Sequence, residues 1–115
     1  MSTNARIGLL MDDDIVLSVY LHFDGYPDHT GEILYHHYNT IDKIEELLCY
    51  GDISSLGETI QTTTFFSRDK KENEEDVLAK VQYIDIFESY IDKHYVSYLY
   101  LFKDGKWLVK GDLDG

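Results

Sequence analysis

Cysteine is nearly absent from this chain of 115 residues. The single copy, Cys49, excludes an internal disulfide and any zinc cluster built from cysteines. Proline occurs once, at Pro27, and tryptophan once, at Trp107. No Pro-rich linker, internal repeat or shift of composition divides residues 1–115, so one domain with one core is expected, ending in a short frayed tail. No apolar run approaches the ~18 residues that cross a bilayer. The first residues do not place a basic segment before an apolar one, so no signal peptide is expected and the cytoplasm is the expected location. Positive charge is scarce as well: 10 Lys and Arg stand against 22 Asp and Glu, a formal net charge of −12. Phosphate backbones are held by Lys and Arg, so direct nucleic-acid binding is disfavoured, as is attraction to an anionic membrane. A basic protein partner fits, and its approach would be steered by charge. An acidic surface also keeps a small protein soluble with no partner at all.

Aromatic residues, by contrast, are plentiful, with 10 tyrosines suited to strands and binding surfaces. The densest punctuation lies in Val19–Tyr38, which holds Pro27 and four of the five histidines. Val19, Leu21 and Phe23 alternate with Tyr20 and His22, the two-residue period of a strand with one buried face. Asp24-Gly25 breaks that strand, with Gly25 expected at positive φ. Pro27 pushes Tyr26 to extended geometry, so that the turn aims Tyr26 at a fixed neighbour. Ile33, Leu34 and His37 then share one helical face with Tyr38 at its edge, and Thr30 or Asp28 is the expected cap.

Ala5–Met11 and Ile15–Phe23 read as a hairpin across the Asp12–Asp14 turn. Those three carboxylates lack the spaced acidic loop and distant Glu of a calcium site. Thr40–Tyr50 is the clearest helix, with Thr40 as N-cap, Gly51 as left-handed C-cap and Cys49 as a small packing residue. Asp52–Gly57 reads as a tight loop, Glu58–Phe66 as a strand and Ser67–Asp76 as an exposed charged loop. Val77–Ile84 is ambiguous. Asp85 starts a capping box with Glu88, followed by a helix from Ile86 to about His94 with Phe87, Tyr90 and Ile91 inward. Val96–Phe102 and Lys106–Lys110 form a hairpin through Asp104-Gly105, and Trp107 caps one end of the core. The order predicts an α+β domain. Its antiparallel sheet of about five strands, two hairpins plus a middle strand, packs one face against two or three helices.

The segment His22–Pro27, Gly31 and the Ile33–Tyr38 run resemble a family of small bacteriophage and prophage proteins. Members of that family read "CHWDGYP", then a Gly, an aliphatic pair and "HY". Gly51–Gly57, Ser67–Asp69 and Asp104–Trp107 match its pattern in order, so the resemblance spans roughly Ile7 to Val109. Leu21 and Phe23 stand where Cys and Trp are usual, which argues against an essential thiol or metal role there. The resemblance brings no established activity. It implies a phage origin and hence a bacterial host, and it marks His22, Asp24, Gly25, Tyr26, Pro27 and His37 as a family-motif site.

Chemistry is thinly signalled. His36 and His37 are adjacent on a helix and point about 100° apart, so both serve one ion poorly. There is no nucleophile elbow and no phosphate-binding Gly-rich loop, and no cofactor is expected. The first expectation is a non-enzymatic interaction protein. It would modulate or inhibit a host nucleic-acid-handling or defence protein through an acidic surface of Glu72, Glu74, Glu75, Asp76, Glu88 and Asp92. A small enzyme using His22, Asp24 and His37 is the second, and a structural component of the virion the third.

Overall fold

A computed structural model describes residues 3–12, 14–87 and 96–111. The first two strands, β1 (Ala5–Asp12) and β2 (Ile15–Phe23), pair antiparallel in the expected hairpin. Their alternation buries Ala5, Ile7 and Leu9 of β1 with Val19 and Leu21 of β2 on one face. A π-helical turn at Pro27–Gly31 runs into α1 (Glu32–His37), and α2 (Ile41–Cys49) follows. The remaining elements are β3 (Ile53–Ser55), β4 (Thr64–Phe65), α3 (Glu74–Val77), β5 (Lys80–Tyr83), β6 (Tyr98–Lys103) and β7 (Lys106–Gly111). Residues 84–87 are helical, with Phe87 buried. The rest of the helix expected to about His94 lies outside the described residues, as does the tail at 112–115.

The architecture is α+β, but the sheet is mixed and seven-stranded, not antiparallel with about five strands. Its order is β4-β3-β2-β1-β6-β7, with β5 on β2. The two hairpins meet through parallel strands, because β6 lies along β1 from Ala5↔Tyr98 to Leu9↔Phe102. The additional strands come from the presumed loop at Asp52–Gly57, which supplies β3 parallel to β2, and from the ambiguous Val77–Ile84 segment, which splits into the end of α3 and β5. Both faces are covered. Leu34, Ile44, Leu47, Leu48 and Phe65 close the helical side, while Val16, Phe87, Val96, Leu99 and Leu101 form a second cluster.

The strand expected over Glu58–Phe66 is only Thr64–Phe65. Thr59, Thr62 and Thr63 spend their hydroxyls on nearby backbone: Thr59 Oγ1 accepts from Thr62 N at 3.1 Å, and Thr63 Oγ1 donates to Thr59 O at 2.8 Å. Local bonds of this kind compete with a sheet ladder and here replace it.

The outer edge of β2 is divided between two strands. β5 pairs with Ile15–Ser18 and β3 with Leu21 and Phe23. Between them Tyr20 N donates to Asp52 Oδ1 at 2.9 Å. Asp52 N donates to Val77 O at 2.6 Å, and Asp52 O accepts from Phe66 N at 3.2 Å. One residue therefore ties β2 to the approaches of β4 and β5. Gly51 before it has φ 86 and passes so close to Val77 that an added Cβ would overlap the Val77 carbonyl oxygen. The expected C-cap is present, with a tight approach the sequence does not reveal.

Thr40 caps α2 by accepting from Lys43 N at 3.3 Å, whereas Thr30 and Asp28 do not cap α1, whose N-cap position is Gly31. Cys49 is exposed rather than packed, with its thiol donating to Glu46 O at 2.9 Å. At the terminal hairpin Asp104 (φ 53) and Gly105 (φ 77) both take positive φ, as a type I′ turn requires. An added Cβ at Gly105 would meet nothing within 4 Å. Gly105→Val should therefore cost only the conformational penalty, about 1–2 kcal/mol, read as a lower denaturant midpoint; an unchanged midpoint would contradict the turn. Trp107 covers the core edge with its ring 5.2 Å from Phe102, and its Nε1 donates to Tyr38 O at 2.8 Å.

Candidate interaction surface

The motif residues around Pro27 build a corner. Asp24, not Gly25, takes the left-handed conformation, at φ 56, which Asp tolerates better than most residues. Gly25 is needed for proximity: an added Cβ would lie 2.8 Å from both Ala5 Cβ and Thr3 O. Gly25 N donates to Thr3 O at 2.8 Å, and the buried Tyr100 hydroxyl donates to Gly25 O at 2.7 Å. Burial pushes the Tyr100 hydroxyl up from its ordinary pKa, which keeps that donor protonated. Thr30 donates to Asp24 O at 2.7 Å. Tyr26 is extended, with φ −75 and ψ 157, as Pro27 demands. Its ring is exposed, with His29 6.1 Å away, so it is not locked onto a buried neighbour.

The two motif histidines have separate partners. His22 Nδ1 meets the Tyr20 hydroxyl at 2.8 Å, and its ring packs edge-on to Phe23 and Phe66. His37 Nε2 meets Glu58 Oε2 at 2.8 Å. Nothing joins the two: His22, Asp24 and His37 share no hydrogen bond or ion pair among the described residues. Nor does any group of three or more His, Cys, Asp or Glu there stand ready to hold a metal.

The Glu72–Asp76 segment is less acidic in place than its composition suggests. Glu72, Glu75 and Asp76 are exposed, and Glu74 opens α3. Glu88 and Asp92 lie outside the described residues. In the sequence that segment is flanked by Arg68 and the exposed Lys70, Lys71 and Lys80, which nearly balance Asp69 and its four acids. Arg68 and Asp69 bond at 2.8 Å, and that pairing holds the Asp69 carboxyl below the usual carboxylate range. Arg68 also donates to Ile60 O and Thr63 O and lies 4.8 Å from the centroid of the Phe65 ring, so its role is to brace this loop.

The unbalanced charge lies instead on the helical layer. Asp28, Glu32, Asp42, Glu45, Glu46 and Glu58 are all exposed, and Lys43 is the only Lys or Arg between Asp24 and Gln61. Two adjoining clefts run through this layer. One, of about 520 Å³, lies between the π-helical turn and the Leu56–Thr62 loop and is rimmed by Asp28, Glu32 and Glu58 over Ile33 and Leu56. The other, of about 260 Å³, is lined by His37, Tyr38, Lys43, Glu46, Tyr50 and Glu58. Glu58 and Thr59 border both, which makes the surface continuous. His36 touches Glu32 at 3.1 Å, and as an exposed pair it contributes little to stability. Sequence reasoning overlooked this surface because its acids come at wide intervals; the signal that finds it is the near-absence of Lys and Arg over that span.

Comparison with known proteins finds no match at a significant level, whether to a family model, a curated protein or a solved structure. No helix among the described residues is long and apolar enough to cross a membrane.

Proposed function

We propose that the chain is a non-enzymatic accessory protein of phage type that binds a basic host protein, one that handles nucleic acid or serves in defence, and modulates it. The observation that carries this reading is the set of six exposed carboxylates on the helical layer, accompanied by one lysine. Such an array offers Lys and Arg side chains of a partner what a phosphate backbone would offer them, and it raises the encounter rate through long-range charge. The apolar floor of the larger cleft, Ile33 and Leu56, adds surface to bury once the partner has docked. The acidic surface of the proposal is thus Asp28, Glu32, Asp42, Glu45, Glu46 and Glu58, with Glu72–Asp76 at most a secondary contributor. The motif likeness to phage and prophage proteins points to a bacterial host.

A variant carrying Glu32→Gln, Asp42→Asn, Glu45→Gln and Glu46→Gln keeps the fold, because all four side chains are exposed. Immobilised wild type should capture nucleic-acid-binding proteins from bacterial lysate and release them to a DNA oligonucleotide or to high salt. With a captured protein in hand, the variant should associate about 10-fold more slowly or worse, with a smaller change in dissociation. Capture of the same proteins at the same rate by both chains would reduce the acidic layer to a solubility feature.

A further inference from the structure

One large cleft lies outside the acidic layer. It has a volume of about 610 Å³ and lies between the end of α1 and the β6–β7 hairpin, within the ~300–1,000 Å³ usual for small-molecule sites. Tyr35, His36 and Asn39 line it from the helical side, and Phe102, Lys106 and Trp107 from the hairpin. The rings come in two edge-on pairs, Tyr35 with His36 at 5.0 Å and Phe102 with Trp107 at 5.2 Å. The bond from Trp107 Nε1 to Tyr38 O fixes the indole and occupies its only donor, leaving the ring face as its contact surface. His36 is held by Glu32, whose carboxylate belongs to the neighbouring cleft.

The charges are as selective as the rings. No carboxylate lines this cleft, and Lys106 is its one fixed charge. Lys106 is exposed and makes no ion pair among the described residues. We propose that this cleft binds a nucleoside monophosphate. The base stacks on Tyr35 and Trp107, the phosphate meets the Lys106 ammonium, and the Asn39 amide supplies a donor and an acceptor for the edge of the base. A cation would be repelled by Lys106. A nucleic-acid strand would carry many phosphates past a molecule of net charge −12, so a single phosphate is the form the site suits.

Trp107 is the only tryptophan, so tryptophan emission comes from a ring that lines this cleft. Titration of the full chain with AMP, GMP, CMP and UMP should quench it saturably, with the purines binding more tightly. Ribose 5-phosphate, which lacks the base, should bind about 10-fold or more weakly. Tyr35 is 67% exposed and Lys106 is exposed, so changing either preserves the fold, as circular dichroism would verify. Lys106→Ala should weaken AMP about 10-fold while leaving adenosine unchanged, and Tyr35→Ala should weaken both. The proposal is overturned by the absence of saturable quenching at millimolar nucleotide, by equal binding of ribose 5-phosphate, or by Lys106→Ala leaving AMP affinity intact. Sensitivity of AMP binding to the acidic-layer substitutions, with none to Lys106→Ala, would place the nucleotide elsewhere and count equally against it.

Discussion

Gly51→Val is expected to remove about 3–5 kcal/mol of folding stability, a large share of the ~5–15 kcal/mol that holds a small domain together. Two costs combine. The residue sits at φ 86, a conformation that a β-branched side chain adopts only under strain, and an added Cβ overlaps the carbonyl oxygen of Val77. That carbonyl cannot retreat freely, because it accepts the bond from Asp52 N at 2.6 Å. Gly105→Val is the natural control, since Gly105 has a similar φ of 77 but open space around it. The difference between the two denaturant midpoints isolates the steric part. Equal shifts for the two variants would show that the approach of Gly51 to Val77 is not rigid.

Asp52 gives the second large effect, and it depends on pH. Burial, the largest influence, raises its carboxyl above the ordinary value; the Tyr20 N–H and the charges of Arg6 and Lys80 pull it down but do not cancel the shift. A carboxyl whose folded pKa is raised contributes its full stability below the unfolded value, ~3.9, and loses it as pH rises through the folded pKa. At neutral pH the wild type therefore bears the cost of a part-buried anion. Asp52→Asn removes that cost and keeps an oxygen to accept from Tyr20 N, so it should be more stable than wild type at pH 7, with the gap closing as pH falls towards 4. Asp52→Ala removes the acceptor and should lose about 1–3 kcal/mol across the range. Urea titrations at several pH values separate the two substitutions. A wild type that outlasts Asp52→Asn at pH 7 would mean that attraction to Arg6 and Lys80 outweighs burial.

Elements whose cause is local were legible in the sequence. The Asp104-Gly105 turn, the Thr40 and Gly51 ends of α2 and the first hairpin each follow from residues within a few positions of one another. The parallel contact of β6 with β1 has no such signal, because nothing near Tyr98 states which strand it will meet. The Thr-rich Glu58–Thr63 segment misled for a different reason. Its β-branched composition favours a strand, but its hydroxyls found backbone partners first. The surface was half legible. Every acid can be counted in the sequence, yet whether carboxylates from distant positions rim one cleft together, as Asp28, Glu32 and Glu58 do, depends on the fold. The motif residues His22–Pro27 could be noticed but not interpreted, since their work is to let Gly25 approach Thr3 and accept from Tyr100, residues at the two ends of the chain.

The place of β1 in the sheet has a consequence for how the protein is made. β1 is an interior strand, yet the neighbour that covers its second edge, β6, is encoded more than eighty residues later. At ~5–20 residues per second, a ribosome needs several seconds or more to supply it. Throughout that interval the β1–β2 hairpin carries Ile7 and Leu9 beside an open row of peptide groups, the kind of edge that recruits other chains. Neither the edge nor the Tyr100 bond to Gly25 can be completed before β6 has been synthesised, so folding of the sheet must await that strand. A message truncated before Tyr98 would yield a chain suited to aggregation or proteolysis, while crowded polysomes making the full protein would be where misassembly begins.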